Sequence, residues 1–310
     1  MNDRILMKYR DFVWGKYPKT NTRRTMIDHP TVMVKHIGKP LKDITQGDID
    51  KYVRWCYENR KHNGNVIRFW SIKQCIKWAR KNRYITRRLR LPKLNPVDAG
   101  KQALQSEDVD RLLEAVEKLS PLHRLVTYLC IDALRRPSTI INLKIRDRTG
   151  DRLSYEGKTA DSIGRQVCTM TERLKKSWDD YISQIRPIPM TPEDAEYLIL
   201  SDYGRFKGKR LVTRTMITRI IRETCMFAQV TIPDGEKPTC YLFKRTGITE
   251  QLKICPDPKI VMHQAGHTKL DTTMKYNRIR EEDIKEHINL FEHKRKRIKE
   301  KVNLGEHESF

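Results

Sequence analysis

After Leu143 the apolar residues of this chain change their spacing, and that change bounds the fold more tightly than any other feature. Up to that point the period is helical. Thr45-Gln46-Gly47-Asp48 has the form of a capping box, and behind it Ile49, Tyr52, Val53, Cys56 and Tyr57 recur at i, i+3, i+4, i+7 and i+8. Val66, Ile67, Phe69, Trp70, Ile72, Cys75, Ile76 and Trp78 cover much of a helix circumference, which suits the central helix of a small bundle. Ser106 is placed to cap a helix faced by Val109, Leu112, Leu113 and Val116, and an apolar stretch runs from Leu122 to Leu134. Then Arg152–Glu156 and Arg165–Met170 alternate as two strands around a polar turn, 157–164, and Tyr197–Leu200 reads as a third short strand or a buried turn. Helical spacing returns behind Thr213, with Met216, Ile217, Ile220, Ile221 and Cys225 on one face. It appears again after Pro256 and Pro258, where Gly266 marks the stop. The pattern predicts a mainly α chain with a small antiparallel sheet.

The length of 310 residues suits about two domains. Residues 83–101 carry Arg83, Arg87, Arg88, Arg90, Pro92, Lys93, Pro96, Gly100 and Lys101 with little periodicity, so they read as a basic segment disfavoured for burial. The expected division is a helical domain at 1–92, a linker at 93–105, a second domain at 106–285 and a charge-dense tail at 286–310. The tail and its approach offer Ile284, Ile288, Leu290 and Phe291 as an apolar face.

Charge narrows the partner. Lys and Arg number 63 against 39 Asp and Glu, a net +24, which self-repels unless an anion screens it. Nucleic acid or an anionic membrane surface fits better than a small neutral metabolite. No apolar run reaches the roughly 18 residues of a membrane span, and the first residues hold no signal-like apolar region. Seven scattered cysteines without a CxxC read as buried thiols of a cytoplasmic protein, not as a disulfide frame or zinc site.

Three segments hold candidate chemistry. In Ala133-Leu134-Arg135-Arg136-Pro137-Ser138-Thr139 an arginine pair follows an apolar helix, and Pro137 opens a new one whose free N–H groups favour an anion. Tyr241-Leu242-Phe243-Lys244-Arg245-Thr246 sets two cations among apolar residues, and a half-buried cation wants an anionic partner. In Gly266-His267-Thr268-Lys269-Leu270-Asp271-Thr272-Thr273-Met274-Lys275-Tyr276 a histidine on a turn precedes a tyrosine by nine residues, with Asp271 placed to cap the helix between them. His263 and His267 are four apart, but no third ligand or glutamate base accompanies them, so no metal is expected. The acidic groups Asp179-Asp180 and Glu281-Glu282-Asp283 read as solvated faces, which argues against a metal-dependent nuclease.

Together these segments resemble the catalytic domain of tyrosine recombinases, the family of phage-type and archaeal-virus integrases and chromosome-dimer resolvases. Its pattern places an arginine in Gly-Leu-Arg-x-Ser-Glu, a lysine on a β-hairpin, a His-x-x-Arg box, then Leu-Gly-His and a tyrosine nine residues on. Arg136, seven residues before Leu143, matches the first box, and Gly266-His267 and Tyr276 match the last. Gly38-Lys39-Pro40-Leu41, Ile44-Thr45, Asp48-Ile49 and Lys77-Trp78-Ala79-Arg80-Lys81-Asn82 are similar to the family's helical core-binding domain. The chain departs from the pattern in two places. Thr139 stands where the glutamate is usual, and the second box reads Tyr241-x-x-Lys244 with Arg245 beside it.

The resemblance implies a viral, archaeal or mobile-element recombinase that breaks and rejoins DNA through a 3′-phosphotyrosine, without cofactor or metal. Tyr276 would be the nucleophile, and Arg136, His267 and either Lys244 or Arg245 would hold the phosphate oxygens. Lys158, on the hairpin turn, would be the general acid. Arg68, Lys73, Lys77, Arg80, Arg87, Arg88, Arg90 and Lys93 would track the backbone of double-stranded DNA attachment sites. The two domains would close as a clamp, and four copies would assemble on DNA. Alternatives are a recombinase-derived DNA-binding protein that no longer cuts and a type IB topoisomerase-like enzyme.

Overall fold

A computed structural model describes residues 3–97, 102–156, 165–234 and 236–276, together with 288, 289, 291, 292 and 295. The chain divides into two compact units, Met1–Gly100 and Lys101–Phe310.

The first unit is helical: α1 (Arg4–Lys16), α2 (Thr20–Ile37), α3 (Gln46–Asn59) and α4 (His62–Lys81). Local chemistry sets the ends. One Asp3 oxygen accepts from the N–H groups of Ile5 and Leu6, capping α1, while the other accepts from Leu41. Thr45 and Asp48 close the expected capping box on α3. Helix α4 packs on the other three and buries Phe69, Ile72, Cys75, Ile76 and Ala79. It is not buried all round, because Ile67 and Trp70 face outward.

The segment after α4 departs from expectation. Ile85, Leu89 and Leu91 are buried in the core of this unit, whereas Arg87, Arg88, Arg90 and Lys93 stay exposed. Irregular backbone is held there by side chains. The Gln46 amide bonds both the N–H and the carbonyl of Arg90, and Lys73 donates to the carbonyl of Pro92. Basic residues masked an apolar anchor that has no helical period.

The second unit contains α5 (Ser106–Glu117), α6 (Pro121–Ile131), α7 (Pro137–Ile140), β1 (Arg148–Thr149), β2 (Arg152–Glu156), β3 (Arg165–Thr169), α8 (Glu172–Asp180), α9 (Pro192–Glu196), α10 (Thr215–Phe227), α11 (Cys240–Ile254), α12 (Pro258–Ala265) and α13 (Leu270–Met274). The sheet is antiparallel in the order β1-β2-β3, with Leu153 opposite Cys168 and Tyr155 opposite Gln166. The third strand is thus Arg148–Thr149. Tyr197 and Leu200 make only isolated bridges, and Leu198–Leu200 are buried. Helix α6 is the axis of this unit, with α5, α8, α10 and α11 packed on it. The α6–α11 approach is so close that a Cβ on Gly247 would lie 2.1 Å from the carbonyl oxygen of Ile131, a separation only glycine permits. Helix starts differ slightly from the sequence reading. Gln105, Arg214 and Lys269 hold the cap positions expected for Ser106, Thr213 and Asp271, and none of the three makes a side-chain cap bond.

Candidate active site

The chain turns sharply between α6 and α7. Leu134 adopts a left-handed backbone, φ +57°, which is unfavourable for a branched residue. Its side chain is fully buried against Ile248, Val261 and Ala265, and its carbonyl accepts a 2.6 Å hydrogen bond from Lys244 Nζ. Those interactions hold the corner. Beyond it Arg135 is 2% exposed, and its guanidinium carbon sits 3.9 Å from the centre of the Tyr155 ring. Its Nε donates to the Ala133 carbonyl and Nη2 to the Gln264 carbonyl. Arg136 occupies the cap position of α7, half-buried, with Pro137 opening the helix.

Helix α11 decides between its two cations. Lys244 points inward and donates to Leu134 O and, at 2.9 Å, to Ala265 O. Arg245 leaves in another direction: it pairs with Glu236 at 2.9 Å and donates to the Gln102 carbonyl. The structure brings Lys244 to Arg135 and His267, and it does not bring Arg245 there. Tyr241, at the histidine position of that box, is exposed.

The third segment folds back over the same corner. Gly266 ends α12 in the left-handed region, φ +64°, and a Cβ there would meet the Tyr155 hydroxyl at 2.4 Å. Gln264, two residues earlier, bonds both the N–H and the carbonyl of Thr169, so the turn is tied to the edge of β3. His267 is 7% exposed, and its Nδ1 lies 2.9 Å from Thr273 Oγ1. Its ring is nearly parallel to that of Tyr276, with centroids 6.1 Å apart and an interplanar angle of 17°. Tyr276 is half-buried, while His263 is exposed.

Electrostatics show the cations converging. Burial, then Arg135 and Arg136, hold the Lys244 ammonium well below its ordinary pKa. Burial, then Lys244, Arg136 and Arg135, push His267 down to about 3, so its ring is neutral near pH 7. Burial lowers Arg135 to about 10. Among the described residues no carboxylate lies within ion-pair distance of Arg135, Arg136 or Lys244. Asp132, three residues before Arg135 in the chain, is already used: it accepts from both Nε and Nη2 of Arg173 and from Thr171. A cluster of cations that raise one another's energy and have no internal counterion is built for an anion.

Sequence reasoning did not single out Arg135, Tyr155 or Gln264 as parts of this site. The arginine pair was visible, but which member faced inward depended on the backbone of Leu134. Lys158 lies outside the described residues, as do most of the tail positions 286–310. In the first unit Lys77, Arg80, Arg88, Arg90 and Lys93 are exposed. Lys77 and Arg80 line a shallow groove with Lys81 and Arg83. Lys73 is committed to the Pro92 carbonyl, Arg68 to Asn65 and Arg87 to the Asp43 carbonyl.

No family model matches the chain. It is 26% identical over 208 residues to the tyrosine recombinase XerA of Pyrococcus furiosus, covering 66% of this chain and 67% of that protein. It is 24% identical over 263 residues to the tyrosine recombinase XerC 2 of Ralstonia nicotianae, covering 80% and 72%. Its fold is similar to that of a lambda integrase tetramer bound to a Holliday junction, at a TM-score of 0.67 and 16% identity, covering 89% of this chain and 78% of that one. The sequence is thus similar to those of tyrosine recombinases, and the fold to that of lambda integrase.

Proposed function

We propose that the chain is a site-specific DNA strand transferase with Tyr276 as nucleophile. The observation that carries this reading is the placing of Arg136 and the inward-pointing Lys244 at one corner with no counterion among the described residues, with the Tyr276 ring stacked beside the buried His267. A scissile phosphate supplies the missing negative charge. The Tyr276 oxygen bonds to phosphorus, the bond to the 5′-oxygen breaks, and a 3′-phosphotyrosine and a 5′-hydroxyl result. Arg136 and Lys244 stabilise the non-bridging oxygens, where charge grows in the transition state. The neutral His267 ring takes up the phenolic proton or donates to an oxygen. Lys158, by family resemblance, delivers the proton to the leaving 5′-oxygen. A 5′-hydroxyl from another strand reverses the step, so strands are exchanged without an external energy source.

The exposed cations of the first unit suit contact with the backbone of duplex DNA. Four copies acting together is the assembly seen for the lambda integrase relative, and we extend it to this chain. None of the described helices is long and apolar enough to cross a membrane. A duplex nicked close to the cleavage point traps the covalent intermediate. A protein–DNA adduct is expected with the wild type and none with Tyr276→Phe. Specific binding without an adduct would instead favour a recombinase-derived DNA-binding protein, and relaxation of plasmid at random sites would favour a topoisomerase.

A further inference from the structure

The left-handed Leu134 does more than turn the chain. Arg135 and Arg136 leave the same corner, where the Leu134 carbonyl takes the Lys244 ammonium and Arg135 Nη2 reaches the carbonyl of Gln264, three residues before His267. The corner therefore carries two guanidiniums. Lys244 cannot provide a bidentate contact, since its ammonium spends donors on Leu134 O and Ala265 O. Arg135 has donors to spare. Nε and Nη2 are engaged, while Nη1 makes no hydrogen bond among the described residues. Stacking on Tyr155 fixes the plane of its fork, and Tyr155 is itself pressed against Gly266, the residue before His267. A guanidinium only 2% exposed and without a carboxylate partner is an unbalanced buried charge.

We propose that Arg135 is a second phosphate-binding guanidinium of this site, acting beside Arg136 in the role that Lys244 leaves unfilled in the second box. This rests on the strand-transferase reading above. Arg135 neutralises the transition-state phosphorane through Nη1, while its other nitrogens keep the α6–α7 corner joined to the end of α12.

The test compares two nicked duplexes, one with an ordinary scissile phosphodiester and one with a methylphosphonate there. The methylphosphonate lacks one anionic oxygen, so it no longer needs that charge compensated. Arg135→Leu should lose at least about 100-fold in adduct rate on the diester and return to within about tenfold of wild type on the methylphosphonate. Arg135→Lys should fall between on the diester and show the same rescue, and it carries the comparison if Arg135→Leu does not fold. An equal loss on both substrates would make Arg135 a strut only and overturn the proposal, as would wild-type cleavage of the diester by Arg135→Leu. A wild type that forms no adduct on either duplex sinks the strand-transferase reading, and Arg135's role with it.

Discussion

His267 offers the sharpest physical test of the site, because its protonation reports the cation cluster without any DNA. In the unfolded chain the imidazole takes up a proton near its ordinary value of 6.5. In the folded protein burial, Lys244, Arg136 and Arg135 delay that to about 3. Between these values the unfolded state holds the extra proton, so acid favours unfolding. The stability contributed by the neutral buried ring is complete above pH 6.5 and is lost as pH falls toward 3. Within that window the slope rises to about 1.4 kcal/mol per pH unit, or roughly 2 kcal/mol in all between pH 6.5 and 4.5. His267→Gln removes the titration and keeps a polar side chain. Urea unfolding of wild type and variant at pH 7.5, 6.5, 5.5 and 4.5 measures it, and acid effects shared by both proteins cancel in the difference. The wild-type advantage should be constant above pH 6.5 and shrink steadily below it. A difference that stays flat down to pH 4.5 would refute the argument, since it would mean that the ring titrates normally and the cations do not converge on it.

Three further outcomes follow from the same geometry. Arg245→Ala should destabilise by about 3–5 kcal/mol by stranding the half-enclosed Glu236, seen as a lower melting temperature, yet leave the adduct rate unchanged at a temperature where the variant is folded. Arg173→Ala, which leaves the buried Asp132 charge with only the Thr171 hydroxyl, should lose about 2–3 kcal/mol in urea unfolding, and adding Asp132→Asn should recover part of it. Replacing Arg88, Arg90 and Lys93 by glutamine should reduce the log–log salt slope of duplex binding by up to about 0.9 for each phosphate left un-neutralised, measured by titration of labelled DNA, whereas Arg136→Ala should lower the adduct rate far more than binding.

What could be read from the sequence was whatever a short stretch of chain determines by itself. The Thr45–Asp48 capping box, the left-handed Gly266 and the hairpin pairing 152–156 with 165–169 are local, and each is present. The features that escaped are set by distant partners. Arg245 turns toward Glu236 and Gln102, neither of which its helix foretells. Arg135 could not be told from Arg136 along the chain, because the apolar cluster holding Leu134 in a left-handed backbone is assembled from α11 and α12. Strand β1 escaped because two residues carry no period. Ile85, Leu89 and Leu91 were hidden among arginines, and their burial depends on Gln46 and Lys73 satisfying the backbone between them.

The unbalanced charge of the pocket links binding to proton uptake. With no anion present, burial first and the neighbouring cations second keep His267 neutral and weaken the hold of Lys244 on its proton. A phosphate entering the pocket opposes each of these Coulomb contributions, so both groups gain affinity for protons as DNA binds. Lys244 then holds its proton more firmly, and His267 is a better proton acceptor in the complex than in the free protein. On the strand-transferase proposal, the free protein keeps Tyr276 next to a poor base, and the phosphate to be cut makes that base effective. The net +24 of the sequence, which signalled only an anionic partner, has at this corner a specific consequence on that proposal: the anion that serves as substrate also completes the electrostatics of the site.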